Sequence, residues 1–166
     1  MDQKFVLSLL VDNTSGILGR IANLFSRRAY NIESITAGVT ANPRITRITI
    51  VSSGDNLEID QIVAQLQKQE DVRYVKVLNA HDSVLRELIL IKVMADVSNR
   101  RDIMAIAEIF RANVVDVQKD SLILELTGSR SKIEALLGML SDYKIAEVAR
   151  TGLTGLSRGA DDVRYY

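Results

Sequence analysis

The chain has 166 residues, enough for one ordinary domain or two small ones. Its 21 Lys and Arg balance 21 Asp and Glu, so it lacks the basic excess that marks a nucleic-acid-binding domain. With no cysteine it has neither a disulfide framework nor thiolate chemistry, which fits a cytoplasmic protein.

The opening residues, Met1 to Phe5, lack the charged start and long apolar stretch of an export signal. The apolar run from Phe5 to Val11 predicts a strand and is far short of the roughly 20 residues that span a bilayer. A soluble chain with no membrane partner is expected. The loop Asp12-Asn13-Thr14-Ser15-Gly16 follows, and then a helix from about Ser15 to Arg28 with the apolar stripe Ile17, Leu18, Ile21, Leu24 and Phe25. Asn31 to Ile35 is strand-like, and Thr40 to Arg44 has turn chemistry around the only proline. Arg47 to Ile50 alternates as a strand does. Ile59, Ile62, Val63 and Leu66 then mark a second helix, Glu70-Asp71 a turn, and Val72 to Leu78 another strand.

After a boundary near Asn79 to Ser83 the series repeats. Leu88 to Ala95 is a strand, and Ile103, Ile106, Ala107 and Phe110 are the stripe of a third helix. Asn113 to Val117 and Leu122 to Leu126 are strands, Ile133, Leu136, Leu137 and Leu140 a fourth helix, and Ile145 to Val148 a last strand. Ile21-Ala22-Asn23-Leu24-Phe25 reappears as Ile106-Ala107-Glu108-Ile109-Phe110, so the pattern is one unit doubled. Each unit is βαββαβ. The fold class is therefore α+β, two ferredoxin-like domains in tandem, over residues 1–79 and 80–166. Thr151 to Tyr166 is expected to be a tail with little regular structure. In the first strand Leu7 and Leu9 face one side while Val6 and Leu10 face the other. Apolar residues on both faces predict that the face away from the helices is covered, by another domain or another subunit.

Residues able to carry chemistry are few. His81 lies in the linker, where a solvated loop residue outweighs a general base or metal ligand, since one His without Cys builds no zinc site. The Asp161-Asp162 pair sits in the polar tail with nothing to fix it. Phosphate-cradling, dinucleotide and nucleophile-elbow motifs are absent. The strand Arg44 to Ile50 has no aromatic on which an RNA base could stack. No catalytic residue and no metal ligand is assigned. The loop before the first helix holds more. Thr14 or Ser15 can cap the helix, Gly16 lets its backbone approach closely, and the first helical N–H groups can receive a carboxylate. Asn13 and Asn31 offer oxygens for an ammonium group. The same loop is equally a plain capped helix start.

Asn13-x-Ser15-Gly16, followed after a helix by Arg28-Ala29-Tyr30-Asn31-Ile32-Glu33-Ser34, resembles the ACT domain of acetolactate synthase small subunits. Glu108-Ile109-Phe110-Arg111, Val115-Asp116-Val117, Thr127-Gly128-Ser129, Glu147-Val148-Ala149-Arg150-Thr151-Gly152 and Leu156-Ser157-Arg158-Gly159 extend the likeness through the second domain. The resemblance implies a non-catalytic regulatory subunit of branched-chain amino acid biosynthesis. It implies a homodimer formed through the ACT domains. It also implies a large catalytic subunit that carries thiamine diphosphate, Mg²⁺ and FAD, with no cofactor in this chain. It implies feedback inhibition by valine or a related amino acid. Matched by position, Asn13, Gly16, Ile17 and Leu18 would hold that effector from one subunit, and Asn31 and Ile32 from the other. The family often has Gly where this chain has Ala29, and Val-Ala-Pro where it has Ala37-Gly38-Val39. A free-standing ACT sensor of another enzyme or transcription factor is the alternative. An anion-handling enzyme on the same fold, such as an acylphosphatase, would also need an arginine loop, toward which only Arg20 points.

Overall fold

The computed structural model describes residues 3–160. The described residues form two compact units, 3–85 with 152–160, and 86–151. In the first, strands β1 (Gln3–Asp12), β2 (Ile32–Val39), β3 (Ile45–Gly54) and β4 (Val72–Leu78) form an antiparallel sheet in the order β2-β3-β1-β4. Helices α1 (Ile17–Arg27) and α2 (Asn56–Gln67) supply the side chains that cover one face. Phe5, Leu7, Leu9 and Val11 meet Ile17, Ile21, Phe25, Ile59, Ile62 and Leu66 there. Period two in the strand and 3.6 in the helices bring these residues to one layer, and each buried side chain contributes about 1.5–3 kcal/mol.

The second unit repeats the plan with β5 (Ser83–Met94), α3 (Arg100–Phe110), β6 (Asn113–Val117), β7 (Ser121–Gly128), α4 (Arg130–Met139) and β8 (Ile145–Arg150). Its strand order is β6-β7-β5-β8. Ile89, Ile91 and Val93 of β5 pack with Ile103, Ile106, Ile133 and Leu136 of the helices. The expected α+β fold of two ferredoxin-like units is therefore present. A buried carboxylate, Glu87, is held by one edge of the Arg150 guanidinium, Nε donating at 2.7 Å and Nη2 at 2.9 Å, while Arg150 Nη1 donates to Glu134 at 2.9 Å. The carboxylates, Glu87 foremost, push the guanidinium pKa up, so Arg150 stays charged and Glu87 keeps its partner.

The segment expected to lack regular structure behaves differently. Thr154–Ser157 is a strand, β9, which pairs with β5. The pairing lies at the start of β5, where Gly155 stands against Val84 and Leu85. Leu153 joins Val6, Val51 and Leu78 in a cluster on the face of the first sheet away from the helices. Gly152 just before it has φ +86°, and a Cβ there would come within 2.9 Å of Ser34 on β2. Only glycine combines that dihedral with that approach. Part of the face for which a separate domain or subunit was expected is thus covered by the chain's own final segment.

Candidate functional site

The loop of interest leaves β1 at Asp12 and enters α1 at Ile17. Gly16 is the N-cap, in the left-handed conformation at φ +80°, and makes no side-chain cap bond. The capping role expected of Thr14 or Ser15 is therefore not realised. Thr14 is used otherwise: its Oγ1 accepts from Arg20 Nη2 at 2.9 Å, and Ser15 O accepts from Arg20 Nη1 at 3.2 Å. Arg20 also pairs with Asp71 at 2.7 Å, and Asp71 O accepts from Asp12 N at 2.8 Å. By contrast α2 has a full capping box between Asp55 and Glu58, and α4 is capped by Ser129.

The β2–β3 turn braces the loop from the other side. Asn13 N donates to Arg44 O at 2.7 Å and Asn13 Nδ2 to Pro43 O at 3.0 Å. One of its two amide N–H groups is thus bonded to the scaffold, which fixes the orientation of the side chain. Asp12 accepts from Arg73 Nε at 2.9 Å, a bond that holds its carboxyl below the usual range. Around the helix N-terminus Arg20 is thus paired with Asp71 and Arg73 with Asp12, while Asn13 and Gly16 are exposed.

Asn13, Gly16, Ile17 and Leu18 come together in this loop and first turn. Ile17 is buried in the core, whereas Leu18 is 45% exposed beside it. Asn31 and Ile32 lie elsewhere. Ile32 pairs with Ser52, which pairs with Phe5, while Asp12 pairs with Ile45 at the opposite end of β3. The two groups are a strand length apart, roughly 24 Å at about 3.4 Å per residue. Asn31 O accepts from Ser52 Oγ at 2.5 Å, which fixes the backbone and leaves the residue exposed. One copy of the chain cannot close both groups on one ligand.

Sequence inspection missed the Arg20–Thr14–Asp71 clamp; its one signal was an arginine a single turn after Gly16. It also missed Ala29, which has φ +58° directly after the α1 C-cap. The family's common glycine at this position was the available clue. His81 is exposed, as expected of a loop residue, and lines a hollow with Lys76 and Arg158. Asp161 and Asp162 lie outside the described residues. Among the described residues no cluster of three or more His, Asp or Glu is placed to hold a metal, and no helix is long and apolar enough to cross a membrane.

Comparison with known proteins gives this arrangement its context. Residues 7–74 match the ACT domain of the AHAS small subunit type, and residues 86–159 match the family described as the small subunit of acetolactate synthase. The chain is 48% identical over 158 residues to the acetolactate synthase small subunit of Bacillus subtilis, covering 94% of this chain and 91% of that one. It is 46% identical over 155 residues to that of Mycobacterium bovis, covering 92% and 91%. The crystal structure of the small subunit from Thermotoga maritima superposes with a TM-score of 0.88 at 38% identity, covering 95% of this chain and 99% of that one. Both halves of the sequence share these matches, and the chain belongs to the family of acetolactate synthase small subunits, regulatory proteins whose catalytic partner is a separate large subunit.

Proposed function

We propose that the chain activates a large acetolactate synthase subunit and makes it sensitive to valine or a related branched-chain amino acid. The observation that carries this is the split site. The loop Asn13 to Leu18 and the pair Asn31–Ile32 sit at opposite ends of the sheet, and β2 is an edge strand. Antiparallel pairing of β2 with β2 of a second copy would bring the partner's Asn31 and Ile32 level with this copy's loop. Ile35 is 39% and Val39 58% exposed along that edge, an apolar row that pairing would bury. Residues 1–79 then act as the ACT regulatory domain of a homodimer.

The backbone N–H groups of Gly16 and Leu18 receive the effector's carboxylate, at the positive end of the α1 dipole, whereas that of Ile17 is taken by Thr14 O at 3.3 Å. Oδ1 of Asn13 and the side chain of the partner's Asn31 accept from its ammonium group. Leu18 and the partner's Ile32 contact its aliphatic side chain. Regulation follows by linkage: an effector that favours one arrangement of the dimer lowers the population of the arrangement the catalytic subunit prefers. Thiamine diphosphate, Mg²⁺ and FAD belong to that partner. Thermal unfolding with L-valine, L-leucine, L-isoleucine and D-valine tests the site. One L-amino acid at 100 times its dissociation constant raises stability by about 2.7 kcal/mol, and D-valine does not. Equal shifts with D- and L-valine would contradict a stereospecific pocket.

A further inference from the structure

A hollow of about 430 Å³ lies in the first unit, where the end of β4, the turn before β5 and the chain after β9 come together. Small-molecule sites have about this size. Its wall carries Lys76, His81 and Arg158, against one carboxylate, Asp82. Ser83 and Ser157 add hydroxyls, and Ser83 is only 4% exposed. In a chain whose formal net charge is zero, Lys76 and Arg158 against the single carboxylate Asp82 leave this wall with an excess of one positive charge. Arg158 is anchored by its backbone, N donating to Asp82 O at 2.6 Å, and among the described residues no carboxylate pairs with its guanidinium.

From this we infer a second ligand site, for a phosphate monoester with a small organic body. An arginine fork and a lysine ammonium match a doubly charged phosphoryl group better than a single carboxylate, and serine hydroxyls donate to its remaining oxygens. The hollow exceeds what a bare phosphate fills, and Val77 borders the remaining space. Asp82 is placed to accept from hydroxyls of the organic part. The site is distinct from the loop before α1. Lys76 pairs with Ser8 and Leu78 with Val6, toward the start of β1, whereas the loop follows its end. It also lies at the β4 edge, opposite β2, so it stays open when β2 is paired. A metabolite signal could then act on the same subunit independently of the amino acid.

The test is calorimetric titration of the full chain, at constant ionic strength, with glycerol 3-phosphate and with inorganic phosphate. The expected result is saturable binding of one ester per chain, at least tenfold tighter than inorganic phosphate. Arg158→Ala weakens it tenfold or more, Arg158→Lys less, and Asn13→Ala not at all. Arg158 is exposed, so its variants should fold, and their melting midpoints confirm that they do. Non-saturable binding, or equal affinity in Arg158→Ala, overturns the site. Equal affinity for inorganic phosphate overturns its assignment to an ester.

Discussion

At the scale of single residues, backbone conformation and charge fix the two ends of α1. Ala29 occupies a left-handed conformation at φ +58°, which costs a residue with a Cβ about 1–2 kcal/mol. Ala29→Gly should relieve that strain, partly offset by unfolded-chain entropy, and raise unfolding stability by about 0.5–1 kcal/mol in a urea titration. Asp12 is the acid whose pairing fixes the loop's start. Its carboxyl is held low by the hydrogen bond from Arg73. A carboxylate with a depressed folded-state pKa contributes stability above its unfolded value, about 3.9, and loses it as pH falls through the folded one. Asp12→Asn should therefore destabilise at pH 7, and by no more than about 1 kcal/mol, because the pair is partly exposed. The difference from the native chain should vanish well below pH 4, as followed by thermal melts across pH. Asn13, Gly16 and Asn31 were singled out as candidates by residue type and spacing, and the structure places Asn13 and Gly16 in one loop and Asn31 a strand length away. The role of Arg20 was not legible in the sequence, because its partners Thr14 and Asp71 converge only after β4 is in place.

At the scale of elements, the apolar stripes of the helices predicted the buried faces, except at Leu18 of α1, which is 45% exposed. Ile59, Ile62 and Leu66 in α2 and Ile133 and Leu136 in α4 are buried as their periodicity required. The strand β9 escaped because it has only four residues, two of them polar and one glycine, and no periodicity to recognise. Its place is dictated at long range, by Leu153 filling the cluster of Val6, Val51 and Leu78. Leu153→Ala should lower unfolding stability by about 2–3 kcal/mol, measured by the urea midpoint at unchanged m-value. A loss below about 0.5 kcal/mol would mean that the final segment does not hold that face. The edge strand β2 carries the opposite lesson. Ile35, Ala37 and Val39 alternate as a strand should, yet lie exposed, which only a partner element relieves.

At the scale of the whole molecule, two similar units carry different chemistry. The first has the loop before α1 and the exposed edge of β2, together proposed as the effector site, and the hollow beside β4 proposed for a phosphate ester. The second has the buried Glu87–Arg150 pair with Glu134, a structural device that fixes β8 against α4. Sequence resemblance extended over both units and matches the comparisons, since residues 86–159 share the family as fully as residues 7–74. The placement of the C-terminal segment with the first unit was hidden, because chain order does not reveal where a segment returns. Regulation is tested most directly by mixing the purified chain with a large acetolactate synthase subunit and measuring acetolactate formation against L-valine concentration. The chain is expected to raise the activity of the large subunit, and L-valine to lower it again. Asn13→Ala is expected to keep the activation but lose the inhibition. Activation with inhibition unchanged in Asn13→Ala would contradict the proposed effector site, and no effect of the chain on the large subunit would contradict the regulatory role itself.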